Sequence, residues 1–202
     1  MKTPTWALAV VLLGLGLIGA GSANSSKVAI SAESFKCIRD MHAVRGFYVD
    51  NLTGDLDRTL KVANSSTGGV YPPGSVVQLV PGEVMVKRET GFNAATHDWE
   101  FFELDVSPQG SVIHKRGFTE VVNRFGGNCF GCHIAAKPEW DLVCETSHGC
   151  APIPLTTPMI RGLQKTDPRC KPAELTDEEK QGLVALQALM KPPAPAPEAK
   201  TP

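Results

Sequence analysis

The sequence predicts an α+β fold, a mainly antiparallel β-sheet flanked by a few helices. From Tyr71 onward, hydrophobic residues alternate with polar ones in short runs that are separated by Pro-Gly and Gln-Gly turns. At either end of this region, residues 31–44 and 176–190 have apolar residues at helical spacing. A chain of 202 residues can bury one real core, so we expect a single domain.

The two ends of the chain lie outside that domain. Residues 1–23 read as a signal peptide, because Lys2 is followed by an uncharged apolar run and then by small residues at a cleavage position. That run has 16 residues, and a membrane-spanning helix needs about 20. We therefore expect export to the periplasm, with no stable membrane anchor after cleavage. The domain covers residues 24–190, and residues 191–202, with five prolines, form a disordered tail.

The first part of the domain is predicted to be helical and then irregular. Phe35, Ile38 and Val44 are spaced for one helix over residues 31–44. Residues 51–69 are rich in Asn, Asp, Gly, Ser and Thr, which favours turns around short extended pieces.

Four strands follow and form an antiparallel meander. They cover residues 75–80, 83–87, 99–106 and 111–116. Side chains alternate along a strand, so Met85 and Lys87 share one face of the second strand. Trp99 and Phe101 share one face of the third strand, and Phe102 lies on the other.

A short helix is predicted over residues 119–125, ended by Gly126 and Gly127. The last helix begins after Thr176, whose hydroxyl forms a capping box with Glu179.

The functional signal is the run Asn128-Cys129-Phe130-Gly131-Cys132-His133. Two cysteines three apart with a histidine after the second match the attachment motif of a c-type haem. Each thiol adds across one vinyl group, and the imidazole becomes an axial ligand of the iron. Cys129 and Cys132 are therefore the predicted thioether sites of one covalent haem, and His133 is the predicted iron ligand.

Three other kinds of site use the same pair of cysteines. A thiol redox couple needs a thioredoxin-like βαβ setting, which the pattern does not indicate. Half of a zinc site needs partners such as Cys144 and Cys150, whose spacing is wider than usual for zinc ligands. A structural disulfide is common in exported chains. The export signal favours haem.

Four cysteines remain after haem attachment, and we expect two disulfides. Cys144 with Cys150 closes a short loop, which leaves Cys37 to pair with Cys170. The alternative is a second metal site that uses Cys144, His148 and Cys150.

Several short motifs in the middle third of the chain resemble the cytochrome P460 family, which includes the β-sheet cytochromes c'. They are Tyr71-Pro72-Pro73-Gly74-Ser75, Met85-Val86-Lys87, Asp98-Trp99-Glu100-Phe101-Phe102 and the late Cys-x-x-Cys-His. The resemblance implies a mostly antiparallel β domain with one covalent haem and a five-coordinate iron facing a distal pocket. Members of the family oxidise hydroxylamine, with nitric oxide chemistry, or bind nitric oxide and carbon monoxide.

The resemblance also suggests residues for the distal side. The P460 enzymes have a lysine cross-linked to the porphyrin, and Lys87 is the candidate for it. The sequence favours the ordinary alternative, a strand lysine whose ammonium group lies in water. With the cross-link, Glu89 or Glu103 would accept a proton from the substrate after burial raises its pKa. Without it, an aromatic residue would line a dry pocket for a neutral diatomic, the candidates being Phe92, Phe101 and Phe102.

The chain departs from this family because some seventy residues follow His133. Its final Leu-Thr-Asp-Glu-Glu helix is similar to the closing helix of small class I cytochromes c. This similarity suggests an alternative, a plain electron carrier in which Met159 or Met190 completes the axial pair. A third reading is an exported disulfide-rich binding domain. The expected partners are a small ligand or substrate and a redox protein, and no basic patch indicates nucleic acid.

Overall fold

The computed structural model describes residues 27–190. The predicted signal peptide and proline-rich tail therefore lie outside the described residues. Within the described part, no helix has the length and apolar character needed to cross a membrane.

The described residues form one six-stranded antiparallel sheet in sequential strand order. The strands are β1 (His42–Val44), β2 (Phe47–Asn51), β3 (Ser75–Val80), β4 (Glu83–Lys87), β5 (Trp99–Ser107) and β6 (Gly110–Gly117). The four predicted strands are confirmed, and β1 and β2 extend the meander at the β3 edge. The α+β fold class, mainly sheet with flanking helices, is confirmed as well.

Four α-helices flank the sheet within residues 27–190. They are α1 (Leu56–Ala63), α2 (Cys129–His133), α3 (Thr157–Lys165) and α4 (Asp177–Leu189). Short 3-10 turns cover Ala32–Ser34, Ile38–Asp40, Ala94–Thr96, Pro138–Trp140 and Thr146–His148. The predicted capping box of α4 is confirmed, because the Glu179 amide donates to the Thr176 hydroxyl and the Thr176 amide donates to the Glu179 carboxylate.

The predicted helix over residues 31–44 is wrong. The segment forms two 3-10 turns and then β1. Phe35 packs in the core on one side of the sheet, whereas Val44 packs in the core on the other side. Their helical spacing thus arises from a chain that crosses the sheet edge and buries residues on both faces.

Two further local predictions are wrong. Residues 51–69 contain the helix α1, which its polar composition concealed. Residues 119–125 form a turn instead of a helix. The Asn123 side chain accepts hydrogen bonds from the amides of Phe125 and Gly127 at 3.1 and 2.8 Å, and this local bonding competes with a helix.

The sheet buries a hydrophobic core on each face. One core contains Met85, Trp99 and Phe101, and the partly buried Cys129 and Phe130 pack against it. We call this side of the sheet the Phe101 face. The other core contains Val84, Val86, Phe102 and Leu104. The motif helix α2 therefore lies over the Phe101 face.

Candidate cofactor-attachment site

The motif is held in place by a short capped helix. Asn128 is the N-cap of α2, and its side chain accepts a hydrogen bond from the Gly131 amide at 2.6 Å. The same side chain donates to the Thr119 carbonyl at 2.8 Å, and the Cys129 amide donates to the Val121 carbonyl. These bonds fix one helical turn against the sheet, with Cys129 and Cys132 three residues apart on it.

Cys129 and Cys132 are the free cysteines among the described residues. Cys132 is exposed and Cys129 is partly buried. Burial raises the pKa of the Cys129 thiol to about 11, and the nearby charges of Glu83 and Glu103 add to the rise. A redox-active Cys-x-x-Cys pair has a lowered thiol pKa. The surroundings of Cys129 are therefore unlike those of a thiol redox couple.

His133 is oriented by a backbone hydrogen bond. Its Nδ1 lies 2.7 Å from the carbonyl oxygen of Leu142. A carbonyl only accepts, so Nδ1 carries the proton and Nε2 presents its lone pair. Burial lowers the pKa of His133, which favours the neutral ring. The ring also packs on Phe101, with centroids 5.2 Å apart. This is the arrangement that metal-binding histidines use.

A buried ion pair lies next to that hydrogen bond. The Lys87 ammonium donates to both carboxylate oxygens of Asp141, at 2.8 and 2.7 Å. The Tyr71 amide donates to the same carboxylate at 2.9 Å, and the Trp99 indole donates to the Asp141 carbonyl at 2.7 Å. Asp141 directly precedes Leu142 in the chain. This network therefore adjoins the carbonyl that accepts the hydrogen bond from His133.

The prediction that Lys87 is a strand lysine with its ammonium group in water is wrong. Lys87 is 5% exposed, and its ammonium lies 5.1 Å from the centroid of the Trp99 ring. Burial lowers the pKa of Lys87, although the charge of Asp141 acts against this. Lys87 also borders a cavity of about 210 Å³, which is lined by His97 and Asp98 among others.

The two candidate proton acceptors lie in different places. Glu103 is buried on the Phe101 face, opposite Glu83 of β4, where its charge acts on Cys129. Glu89 lies beyond the end of β4 and accepts a hydrogen bond from the Val28 amide at 3.4 Å. The expected rise in the pKa of Glu89 is wrong. Burial acts to raise the pKa, but hydrogen bonds from backbone amides and the charge of Arg88 lower it.

The three candidate aromatic residues are also separated. Phe101 lies beside His133 and opposite Met85 in the sheet register. Phe102 belongs to the opposite core, and Phe92 is 43% exposed. Of these three residues, the fold thus brings Phe101 to the motif.

The candidate axial methionines have other neighbours. Met159 is buried where α3 meets α4, and its sulfur lies 3.4 Å from the Thr156 amide nitrogen. Met190 is 51% exposed at the end of α4. Met85, by contrast, lies on the Phe101 face.

Both predicted disulfides are confirmed. They join Cys37 to Cys170 and Cys144 to Cys150, with Cα–Cα distances of 4.8 and 5.7 Å. The alternative metal site at Cys144, His148 and Cys150 is wrong, because the two sulfurs are bonded to each other. The His148 ring instead stacks on Trp140 with centroids 3.7 Å apart.

Sequence reasoning missed Asp141 and Leu142, which orient His133, and it gave Lys87 a different role. Asp141 and Leu142 approach the motif through a loop, and Lys87 and Trp99 reach them from β4 and β5. No local pattern indicates these contacts, because the partners of Asp141 lie 42 to 70 residues away in the chain. Glu83 was missed as well, and burial raises its pKa.

The chain matches no protein-family model, no curated protein and no solved structure. Its function is therefore argued from the chemistry of the residues in the site.

Proposed function

We propose that the protein is an exported monohaem c-type cytochrome, similar to cytochrome P460, that binds a small nitrogen species or carries out redox chemistry on it. The observation that carries this proposal is the state of His133. Its Nδ1 donates to the Leu142 carbonyl and its Nε2 presents a lone pair, one residue after two unpaired thiols on one helical turn.

The residues of the site fit a covalent haem. Cys129 and Cys132 would form the two thioethers, and Nε2 of His133 would bind the iron. When bound, the haem supplies an iron centre that exchanges electrons and binds small ligands. The other four cysteines are joined in disulfides, so the thiols left for attachment are the two of the motif.

Phe101 packs against the His133 ring and Met85 lies in the same core, so the surroundings of a haem bound here would be apolar. Apolar surroundings suit a neutral diatomic ligand such as nitric oxide. The two methionines first considered as axial ligands, Met159 and Met190, have other surroundings. The alternative function, electron transfer by a six-coordinate haem, is favoured by one observation, which is the position of Met85 on the Phe101 face.

The Lys87–Asp141 pair favours ligand binding over the cross-linked form of the enzyme. A link between Lys87 and a porphyrin would take the ammonium away from Asp141. The buried carboxylate would then lose its counter-charge, a change that costs about 3–5 kcal/mol when a buried pair is broken. A proton from an N–H or O–H substrate would go to Glu103 or its neighbour Glu83, which lie on the Phe101 face, whereas Glu89 lies beyond the end of β4 and accepts a hydrogen bond from Val28.

The disulfides are consistent with export. Two disulfides in a chain of this size are typical of an oxidising compartment such as the periplasm. A formal net charge of −1 offers no electrostatic footprint for nucleic acid. We propose a small ligand and a redox protein as the partners.

An optical spectrum of the reduced protein with and without carbon monoxide tests this function. An open iron position predicts a large change in the Soret band on adding carbon monoxide. The variant Met85→Leu is the matched control, because it keeps the volume of the side chain and removes the sulfur. An unchanged wild-type spectrum that becomes responsive in Met85→Leu would establish the electron carrier instead. A colourless protein would contain no haem, and the remaining hypothesis would be an exported disulfide-rich binding domain.

A further inference from the structure

We infer that the buried Lys87–Asp141 ion pair is a positioning device for His133. It holds the Asp141–Leu142 turn in a strained conformation, in which the Leu142 carbonyl accepts a hydrogen bond from Nδ1 of His133. The consequence for an iron ligand rests on the proposed function, whereas the positioning itself concerns residues of this chain alone.

The turn that carries the carbonyl has an unfavourable backbone. Asp141 and Leu142 have φ angles of 48° and 63°. The left-handed conformation is sterically unfavourable for an L-residue. Leu142 has no polar side chain that could offset this by a local hydrogen bond. Such conformations persist where the surroundings determine them, and they concentrate at functional sites.

Asp141 is held by groups from three other segments. Its carboxylate receives hydrogen bonds from Lys87 of β4 and from the Tyr71 amide, and its carbonyl receives one from Trp99 of β5. Lys87, Tyr71 and Trp99 are all buried. On its outer side the network borders the cavity of about 210 Å³, where Nδ1 of His97 lies 3.6 Å from the Asp141 carboxylate. Hydrogen bonds to a buried charge are strong. When one partner is removed, the desolvation free energy of the remaining buried charge is no longer compensated.

The residues after Leu142 are held as well. The His148 ring donates from Nδ1 to the Val143 carbonyl at 2.8 Å and stacks on Trp140. The Cys144–Cys150 disulfide closes the same loop. The backbone is thus held on both sides of Leu142. The Lys87–Asp141 pair holds it on the side of the sheet, and the contacts of the Cys144–Cys150 loop hold it on the other side.

The hydrogen bond that results has a chemical effect. Donation from Nδ1 fixes the ring tautomer and makes Nε2 a more basic ligand. A more basic axial ligand stabilises oxidised iron and lowers the reduction potential. Loosening the turn would weaken the bond and raise the potential. Lys87 is then a positioning residue, because it acts on His133 through Asp141 and the backbone.

The direct test is hydrogen exchange of the His133 Nδ1–H, followed by ¹⁵N NMR in the full-length mature protein. In Lys87→Met we expect exchange at least about tenfold faster than in wild type, as for loss of an ordinary hydrogen bond. The matched control is Lys165→Met, which removes the lysine of another ion pair, 2.8 Å from Glu179 in the α3–α4 region. That control should leave exchange at His133 unchanged.

A second variant guards against misfolding. Lys87→Met removes the cation that is paired with a buried carboxylate, whereas Lys87→Met combined with Asp141→Asn removes both charges and is better tolerated. Faster exchange in every variant that folds supports the inference. Wild-type exchange in any variant that folds overturns it.

The reduction potential of the haem-loaded protein gives a second readout. It should rise in the double variant Lys87→Met with Asp141→Asn, which leaves the net charge of the site unchanged, and stay constant in Lys165→Met. A wild-type protein without covalent haem would refute the proposed function, and the exchange measurement would still decide the positioning role. A protein with covalent haem whose Nδ1–H exchanges rapidly in wild type would refute the positioning role alone.

Discussion

Nδ1 of His133 lies 2.7 Å from the carbonyl oxygen of Leu142, a residue with a φ angle of 63°. The donor ends the motif helix α2, and the acceptor follows the 3-10 turn Pro138–Trp140. A neutral, oriented imidazole with Nε2 available is thereby built from backbone geometry in the chain itself. The predictions that follow depend on this arrangement or on the fold that supports it.

Phe101 and Phe102 form a matched pair for testing which sheet face carries the site. They are neighbours on β5, are 2% and 1% exposed, and point to opposite cores. Phe101→Leu and Phe102→Leu should each destabilise the protein by about 1–3 kcal/mol, because each removes buried contacts. Only Phe101→Leu should change the haem spectrum and the affinity for carbon monoxide. Equal spectral effects of the two variants would place the haem elsewhere.

Lys87 should not be cross-linked to the porphyrin. Its ammonium is bound by both carboxylate oxygens of Asp141. Tryptic haem peptides analysed by mass spectrometry should therefore contain Cys129 and Cys132 without Lys87. A haem peptide that includes Lys87 would contradict the ligand-binding form of the proposal and favour the P460 enzymes.

The two disulfides should differ in their contribution to stability. Cys37 and Cys170 are 133 residues apart, and Cys144 and Cys150 are 6 apart. On the chain-entropy model the long closure contributes about 5 kcal/mol and the short one about 2 kcal/mol. Replacing each pair by serines and measuring urea unfolding checks the order. Non-reducing peptide maps with other pairings would contradict the structure.

Asp167 should make the fold sensitive to acid. It is 3% exposed, and its carboxylate accepts hydrogen bonds from the Ile38 amide and the Arg169 guanidinium. Burial acts to raise the pKa of Asp167, but these bonds hold it below the ordinary pKa of an aspartate. The stabilisation is therefore fully present above that ordinary pKa and is lost as the pH falls through the lowered value.

The variant Asp167→Asn measures this contribution. It should lose about 3 kcal/mol at pH 7, and its Tm should approach that of wild type as the acid limit is reached. Asp177→Asn is the control, because Asp177 forms an exposed pair with Lys180 and should contribute less than about 1 kcal/mol. A Tm difference for Asp167→Asn that is independent of pH would contradict the assignment.

Local patterns were sufficient for the middle of the sheet and for the last helix. Pro-Gly and Gln-Gly turns mark the ends of β3 to β6, and the two faces assigned to β5 are the faces that bury the two separate cores. The capping box at Thr176 and Glu179 is a contact over three residues, which the sequence displays directly. The disulfide pairing followed once two cysteines were assigned to the motif and one close pair was joined.

Local patterns were misleading where contacts between distant parts of the chain determine the structure. The spacing of Phe35 and Val44 looked helical, but the two residues serve opposite faces of the sheet. Lys87 looked solvated because its partner, Asp141, comes 54 residues later. The positive φ of Leu142 has no signature in its residue type, since leucine rarely adopts it. The hydrogen bond that orients His133 was therefore beyond sequence reasoning.

The central claim is covalent haem at Cys129 and Cys132. The most direct measurement is the intact mass, under denaturing conditions, of full-length protein expressed in a host with c-type haem maturation. The account predicts a mass one haem above that of the mature polypeptide with its two disulfides, and no haem on Cys129→Ala with Cys132→Ala. Wild-type protein from that host with the bare polypeptide mass and two free thiols would contradict the account.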